Sequence, residues 1–141
     1  MKYHFKLHKE DLGYWAECCE LEGCNTEGDS LEEVQKACEE ALDVYLYEPD
    51  NSERNIPLPD ETLDGKKGII KIAVDPRRAF AILLKNYRLN THMTQKQVSE
   101  MLGMKNIYSY QRLEKKSNPS LSIINKIHTK LPGIKLEYLF S

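Results

Sequence analysis

Four cysteines (Cys18, Cys19, Cys24, Cys38) and four histidines (His4, His8, His92, His128) are the side chains suited to metal binding or nucleophilic catalysis. Their spacing argues against both. Cys18 and Cys19 are adjacent rather than set in a CxxC knuckle, and no CxxC or HxxxH partner follows. On a strand such neighbours point to opposite faces, which makes a shared ion awkward. They read as reduced thiols acting as small apolar residues, and neither metal nor other cofactor is expected. The histidines are scattered without a serine, cysteine or carboxylate at useful spacing, and most are expected at the surface. Two-metal nuclease chemistry needs carboxylates converging on ions about 3.5–4 Å apart. The first strand offers Lys, His and apolar residues at its centre, with Glu10 and Asp11 at its turn, and Glu17 on the next strand has no evident partner. No catalytic residue is expected.

Near the C-terminus the residue types suit a different chemistry, the binding of a nucleic acid. Thr94 is a helix cap, Val98, Met101 and Leu102 form an apolar stripe, and Gly103 permits a tight turn. A second helix over about Asn106–Lys115 turns Ile107, Tyr110 and Leu113 inward. Its outward side chains are then Asn106, Tyr108, Ser109, Gln111, Arg112 and Lys115. A helix-turn-helix places such a face in the major groove of DNA. Asn pairs with adenine and Arg with guanine in bidentate fashion, so Asn106 and Arg112 are the base-reading candidates. Lys96, Lys105, Lys115 and Lys116 add attraction that is blind to sequence. The plain alternative is a solvated helix face.

Charge supports a division of labour. Residues 1–76 hold 8 Lys and Arg against 19 Asp and Glu, net −11. Residues 77–141 hold 12 against 3, net +9. Such a split points to two domains with different partners, the basic one suited to phosphates. Two oppositely charged halves that merely pack together are the alternative. A 40% hydrophobic and 30% charged composition is that of a folded globular chain. No run of about 18 apolar residues is present, so no membrane span is expected. The start, MKYHFKLHKED, has no apolar core of about 7–15 residues, so a cytoplasmic protein is expected.

The elements that must position these residues follow from periodicity. Tyr3, Phe5 and Leu7 alternate with Lys2, His4, Lys6 and His8, a strand with one buried face. Tyr14 to Leu21 reads as its hairpin partner, and Asn25–Asp29 as a short third strand and turn. Ser30 with Glu33 forms an S-x-x-E capping box. Leu31, Val34, Ala37, Cys38, Ala41, Leu42 and Tyr45 mark an amphipathic helix to about Tyr47. Pro49 and the Ile56-Pro57-Leu58-Pro59 segment cannot continue it. Ile69–Val74 is a fourth strand. From Pro76 the pattern is helical: Ala79, Phe80, Leu83, Leu84 and Tyr87 on one helix, then the two helices above. A fourth follows with Leu121, Ile124, Ile127 and Leu131 inward, and a last turn is packed by Leu136, Leu139 and Phe140. The fold class is α+β: a β-β-β-α-β domain over 1–75, then an all-α domain of about five helices over 76–141.

The segment TQKQVSEMLGM, with SNPSL at 117–121, resembles the Cro/C1-repressor (XRE) family of DNA-binding domains across residues 79–140. Leu113-Glu114 stands one residue further from the turn glycine than the family's usual IE or LE pair. The resemblance implies a phosphate contact for Gln95 at the start of the first motif helix. GYWAECCELEGCNTEGDSLEEVQKACEEAL, residues 13–42, resembles the HicB antitoxin domain. The matching features are a Gly-aromatic pair opening the second strand, Gly23-Cys24, Thr26-Glu27-Gly28-Asp29-Ser30 and Leu31-Glu32-Glu33. Tyr110-Gln111-Arg112-Leu113-Glu114 resembles the version of that family with a Cro/C1-type tail, while Cys19 stands where the family commonly has proline.

That resemblance implies a partial RNase H-like domain, inactive as a nuclease, that blocks a HicA-type toxin. The HicA toxin is a small basic protein that cleaves mRNA. The tail would bind double-stranded operator DNA and repress the chain's own operon. Glu17, Glu20, Glu22, Glu27, Glu33, Glu40 and Tyr47 are the expected toxin contacts, since acidic groups suit a basic surface. The other reading is a stand-alone transcriptional regulator whose N-terminal domain senses a small molecule in a pocket of convergent polar groups. Operator readers usually act as two-fold dimers, so a homodimer or homotetramer is expected.

Overall fold

The computed structural model describes residues 1–47 and 53–140, a mixed α+β chain. It divides into two compact units. One comprises Met1–Tyr47 with Pro57–Asp75; the other, among the described residues, comprises 53–56 with 76–140. Residues 53–56 thus group with the helices although sheet residues flank them in sequence. Pro49, expected to end the first helix, lies outside the described residues.

In the first unit, strands β1 (Lys2–Glu10), β2 (Gly13–Cys18), β3 (Asn25–Gly28) and β4 (Ile69–Ala73) form one antiparallel sheet in the order β3-β2-β1-β4. The register sets Phe5 opposite Cys18 and Ile70, and Tyr3 opposite Ile72, so the apolar side chains share a face. Helix α1 (Leu31–Tyr45) covers that face with Val34, Cys38 and Leu42. Burying a side chain such as Val or Leu stabilises by about 1.5–3 kcal/mol, which is what holds α1 to the sheet. Ser30 Oγ accepts from Glu33 N–H at 3.1 Å. The Glu33 carboxylate reaches one residue further back than a capping box requires, accepting from Asp29 N–H at 3.0 Å.

Gly28 is where β3 and α1 touch. A Cβ there would stand 2.6 Å from Val34 N and 2.9 Å from Glu33 C, both rigid backbone. The predicted second strand stops at Cys18 instead of Leu21. Cys19 N–H still pairs with His4 C=O at 2.8 Å, after which Glu20 turns inward.

The second unit has helices α2 (Pro76–Asn90), α3 (Gln95–Met101), α4 (Ile107–Leu113) and α5 (Leu121–Lys130), then a 3-10 turn over Leu136–Leu139. Helix α2 is buried well beyond its apolar stripe: Arg78, Lys85, Asn86 and Arg88 are buried as well. Asn86 is held because its amide satisfies Ile56 twice, accepting from the N–H at 3.1 Å and donating to the C=O at 2.7 Å. Helix α3 carries a complete capping box between Thr94 and Gln97. It ends on Gly103 at φ 67°, where Gly103 N–H meets Glu100 C=O and Met104 N–H meets Ser99 C=O, each at 3.0 Å. Those two bonds make a Schellman motif, whose left-handed residue favours glycine.

Four apolar residues expected on buried faces are exposed: Leu121 at 84%, Phe140 at 82%, Leu31 at 48% and Met101, the last residue of α3, at 39%. Leu31 and Leu121 open their helices, and Phe140 follows the last turn, so each overhangs the core at an element's end.

Candidate functional site

In the helical unit, α3 packs against α4, and a chain of side chains fixes where each begins and ends. Arg88 on α2 forms a bidentate pair with Glu114, Nε to Oε2 at 2.8 Å and a terminal nitrogen to Oε1 at 2.9 Å. Their side chains are 4% and 5% exposed. The third guanidinium nitrogen donates to Met93 C=O at 3.2 Å. Gln95 then donates to Glu114 Oε1 at 3.4 Å and accepts from Gln111 Nε2 at 3.1 Å. The start of α3 is thereby tied to the end of α4 and both to α2. Hydrogen bonding to Glu114 raises the Arg88 pKa above its ordinary value, so the guanidinium stays charged. Tyr110 lies buried beside it, its phenol pushed up by burial and then by the Glu114 charge.

Around this framework Lys96, Lys105, Tyr108, Arg112, Lys115 and Lys116 are exposed, Tyr108 at 68%. Ser109 and Gln111 are half-buried. Two residues expected to meet DNA have internal duties. Asn106 is the N-cap of α4, its Oδ1 accepting from Ser109 N–H at 3.0 Å and Ser109 Oγ at 3.3 Å. A bidentate adenine contact needs that oxygen, so Asn106 cannot make one while it caps. Gln95 has both its amide nitrogen and its amide oxygen engaged inside the unit.

In the sheet unit the expected toxin contacts separate. Glu20 is internal, its side chain 5% exposed. Its Oε1 accepts from His4 N–H at 3.0 Å, and its Oε2 takes His4 Nδ1 at 2.7 Å and Asp60 N–H at 3.0 Å. His4 Nε2 meets Asp64 Oδ1 at 2.6 Å. His4, expected at the surface, is therefore only 1% exposed and clamped between carboxylates 16 and 60 positions away. Burial would lower its pKa, but its hydrogen bonds to the Glu20 and Asp64 carboxylates, with their charges, outweigh that and raise it. The hydrogen bond to His4 in turn lowers the pKa of Asp64. An imidazole with both nitrogens engaged and no exposure is a structural clamp.

Glu17 and Glu27 lie on the sheet face opposite α1, beside a stacked His8–Trp15 pair whose ring centres are 4.0 Å apart. Glu33 caps α1. Glu22, Glu40 and Tyr47 are exposed, with Tyr47 at 64%. Cys18, Cys24 and Cys38 are buried thiols and Cys19 is exposed. Burial pushes the Cys38 thiol up to about 11, keeping it protonated near neutrality. Among the described residues no helix is long and apolar enough to cross a membrane. The chain matches no known family model and no curated protein sequence.

Proposed function

We propose that this chain is a non-enzymatic antitoxin of HicB type. Its sheet unit is a partial RNase H-like domain that binds and neutralises a small, basic, HicA-type mRNA-cleaving toxin. Its helical unit is a Cro/C1-type helix-turn-helix that binds operator DNA and represses the operon. The observation that carries this reading is the segregation of charge by unit. Met1–Tyr47 with Pro57–Asp75 holds 7 Lys and Arg against 16 Asp and Glu, net −9. The remainder holds 13 against 6, net +7. Opposite fields on one chain suit two partners of opposite charge, each steered to its own unit.

Within the helical unit, Lys96, Lys105, Lys115 and Lys116 supply attraction to phosphates, and Arg112 is the base reader of choice. Tyr108 and Ser109 share its face of α4. In the sheet unit, the exposed Glu22, Glu27, Glu40 and Tyr47 are the contacts for a basic protein, whereas Glu20 acts indirectly by fixing His4. A sensor of small molecules would need a pocket with convergent polar groups. One depression among the described residues of this unit is an open groove whose helix side is Ala37, Glu40, Ala41, Val44 and Tyr45, a shape suited to a macromolecular partner.

The test is co-expression with the product of the adjoining reading frame, followed by mobility shift on the upstream DNA. The reading expects a basic neighbour of about 60–80 residues that co-elutes with the chain, and a shift that weakens as salt rises. Failure to co-elute removes the antitoxin; failure to shift any duplex in dilute salt removes the repressor.

A further inference from the structure

Strand β3 ends the sheet, and among the described residues no strand pairs with its outer edge. Cys18 N–H donates to Cys24 C=O at 2.9 Å, and Ala16 lies opposite Thr26. In an antiparallel ladder, hydrogen-bonded and non-bonded pairs alternate. Thr26 and Gly28 therefore turn their backbone groups toward β2, while Asn25 and Glu27 turn theirs outward. Alongside this edge runs the groove bounded by Gly23–Thr26 on one side and by Ala37, Ala41 and Val44 of α1 on the other. Val44 is 76% exposed and gives the groove an apolar wall beside Ala37 and Ala41. Tyr45 OH donates to Glu22 C=O at 2.9 Å and so holds the groove's end in place. Exposed Glu40 lines it, and exposed Glu22 stands at the end that Tyr45 holds.

We propose that this edge and groove receive an extended, Lys- or Arg-bearing segment of a partner protein, added to β3 as a further strand. The inference rests on the antitoxin reading for who the partner is, and adds how it is held. Asn25 and Glu27 supply main-chain hydrogen bonds. Alternate side chains of the guest enter the groove against Ala37, Ala41 and Val44, while its cations meet the acidic rim. A second copy of this chain is the wrong occupant, because it would set its own Glu27 and Glu22 against the same carboxylates. Nucleic acid is excluded by the same charge.

The experiment uses the full chain and reads amide hydrogen exchange at Asn25 and Glu27 together with affinity. Two probes are used: the basic protein of the adjoining frame and a short alternating Lys-Val peptide. Both are expected to protect the two outward amides. The double variant Ala41→Arg with Val44→Arg fills the groove and adds two positive charges. It should weaken binding of the neighbouring protein by about tenfold or more, whereas Glu32→Arg, the same charge change outside the groove, should cost about threefold or less. Unaltered fold is checked by denaturation of each variant. If the neighbour binds wild type and double variant equally, the groove is overturned and the antitoxin reading stands. If the neighbour does not bind but the peptide protects both amides, the antitoxin reading falls and the groove stands. If neither probe protects the amides, the groove is overturned.

Discussion

At position 4 an imidazole bridges two carboxylates, and pH acts on that bridge from both sides. The folded pKa of His4 lies above its unfolded value of about 6.5, so its stabilisation is complete below that pH and is lost as pH rises through the raised value. The folded pKa of Asp64 lies below its unfolded value of about 3.9, so its share is present above that pH and is lost as pH falls through the lowered value. Stability should therefore peak between about pH 4 and 6.5 and decline toward alkaline pH. His4→Gln should remove the alkaline decline; equal slopes for both proteins in urea midpoints from pH 6 to 9 (about three units) would refute the clamp. Arg88 and Glu114 make a second buried pair, with both side chains almost fully enclosed. Arg88→Met strands a buried carboxylate and should cost about 3–5 kcal/mol in chemical denaturation, with much of the loss restored by adding Glu114→Met. On the exposed side, Arg112→Ala should cost about 1–3 kcal/mol of operator affinity, whereas Lys116→Ala should mainly flatten the salt dependence. Unchanged mobility shifts for Arg112→Ala would take it off the list of base readers.

Among elements, two close fits decide how helices meet their neighbours. Gly28 lets β3 lie directly against the first turn of α1, and because the opposing atoms are backbone they cannot swing away. Gly28→Val should lower stability by about 1–3 kcal/mol and slacken α1, read as faster amide exchange at Val34 and Cys38. A stability within experimental error of wild type would mean the two elements are not in rigid contact. Asn86 does comparable work in the helical unit, where one amide satisfies both backbone groups of Ile56. Asn86→Ala leaves a buried donor and acceptor without their partner and should cost about 1–3 kcal/mol, measurable in the same titration.

On the scale of the whole molecule, charge is partitioned along lines that the contacts draw. The helical unit keeps its positive balance at the surface, since Lys96, Lys105, Arg112, Lys115, Lys116, Lys126, Lys130 and Lys135 are all exposed. DNA affinity of the full chain should fall linearly with log salt, at about 0.9 per phosphate neutralised, and charge reversal at Glu22 and Glu27 should slow partner association at low salt. A salt-independent operator complex would remove electrostatics as its basis. An unaltered on-rate after the double reversal would do the same for the acidic unit.

Local rules were enough to read the order of strands and helices in the sequence. Period-two alternation, the caps at Ser30 and Thr94, and Gly103 after α3 act within a few residues of one another, so spacing alone reveals them. The segregation of charge was legible for the same reason. Tertiary structure alone decided which polar groups were already engaged. His4 meets Asp64 across 60 positions, Arg88 meets Glu114 across 26, and Ile56 meets Asn86 across 30. Such partners leave no periodic trace, because the fold brings together residues that carry no signal of each other. That is why His4 read as a surface residue and Glu20 as a partner contact, whereas Asn106 is an exposed residue whose oxygen is engaged locally by Ser109. Each was taken up by a partner or a cap, and a buried polar group goes to whichever partner geometry supplies before solvent or ligand can claim it.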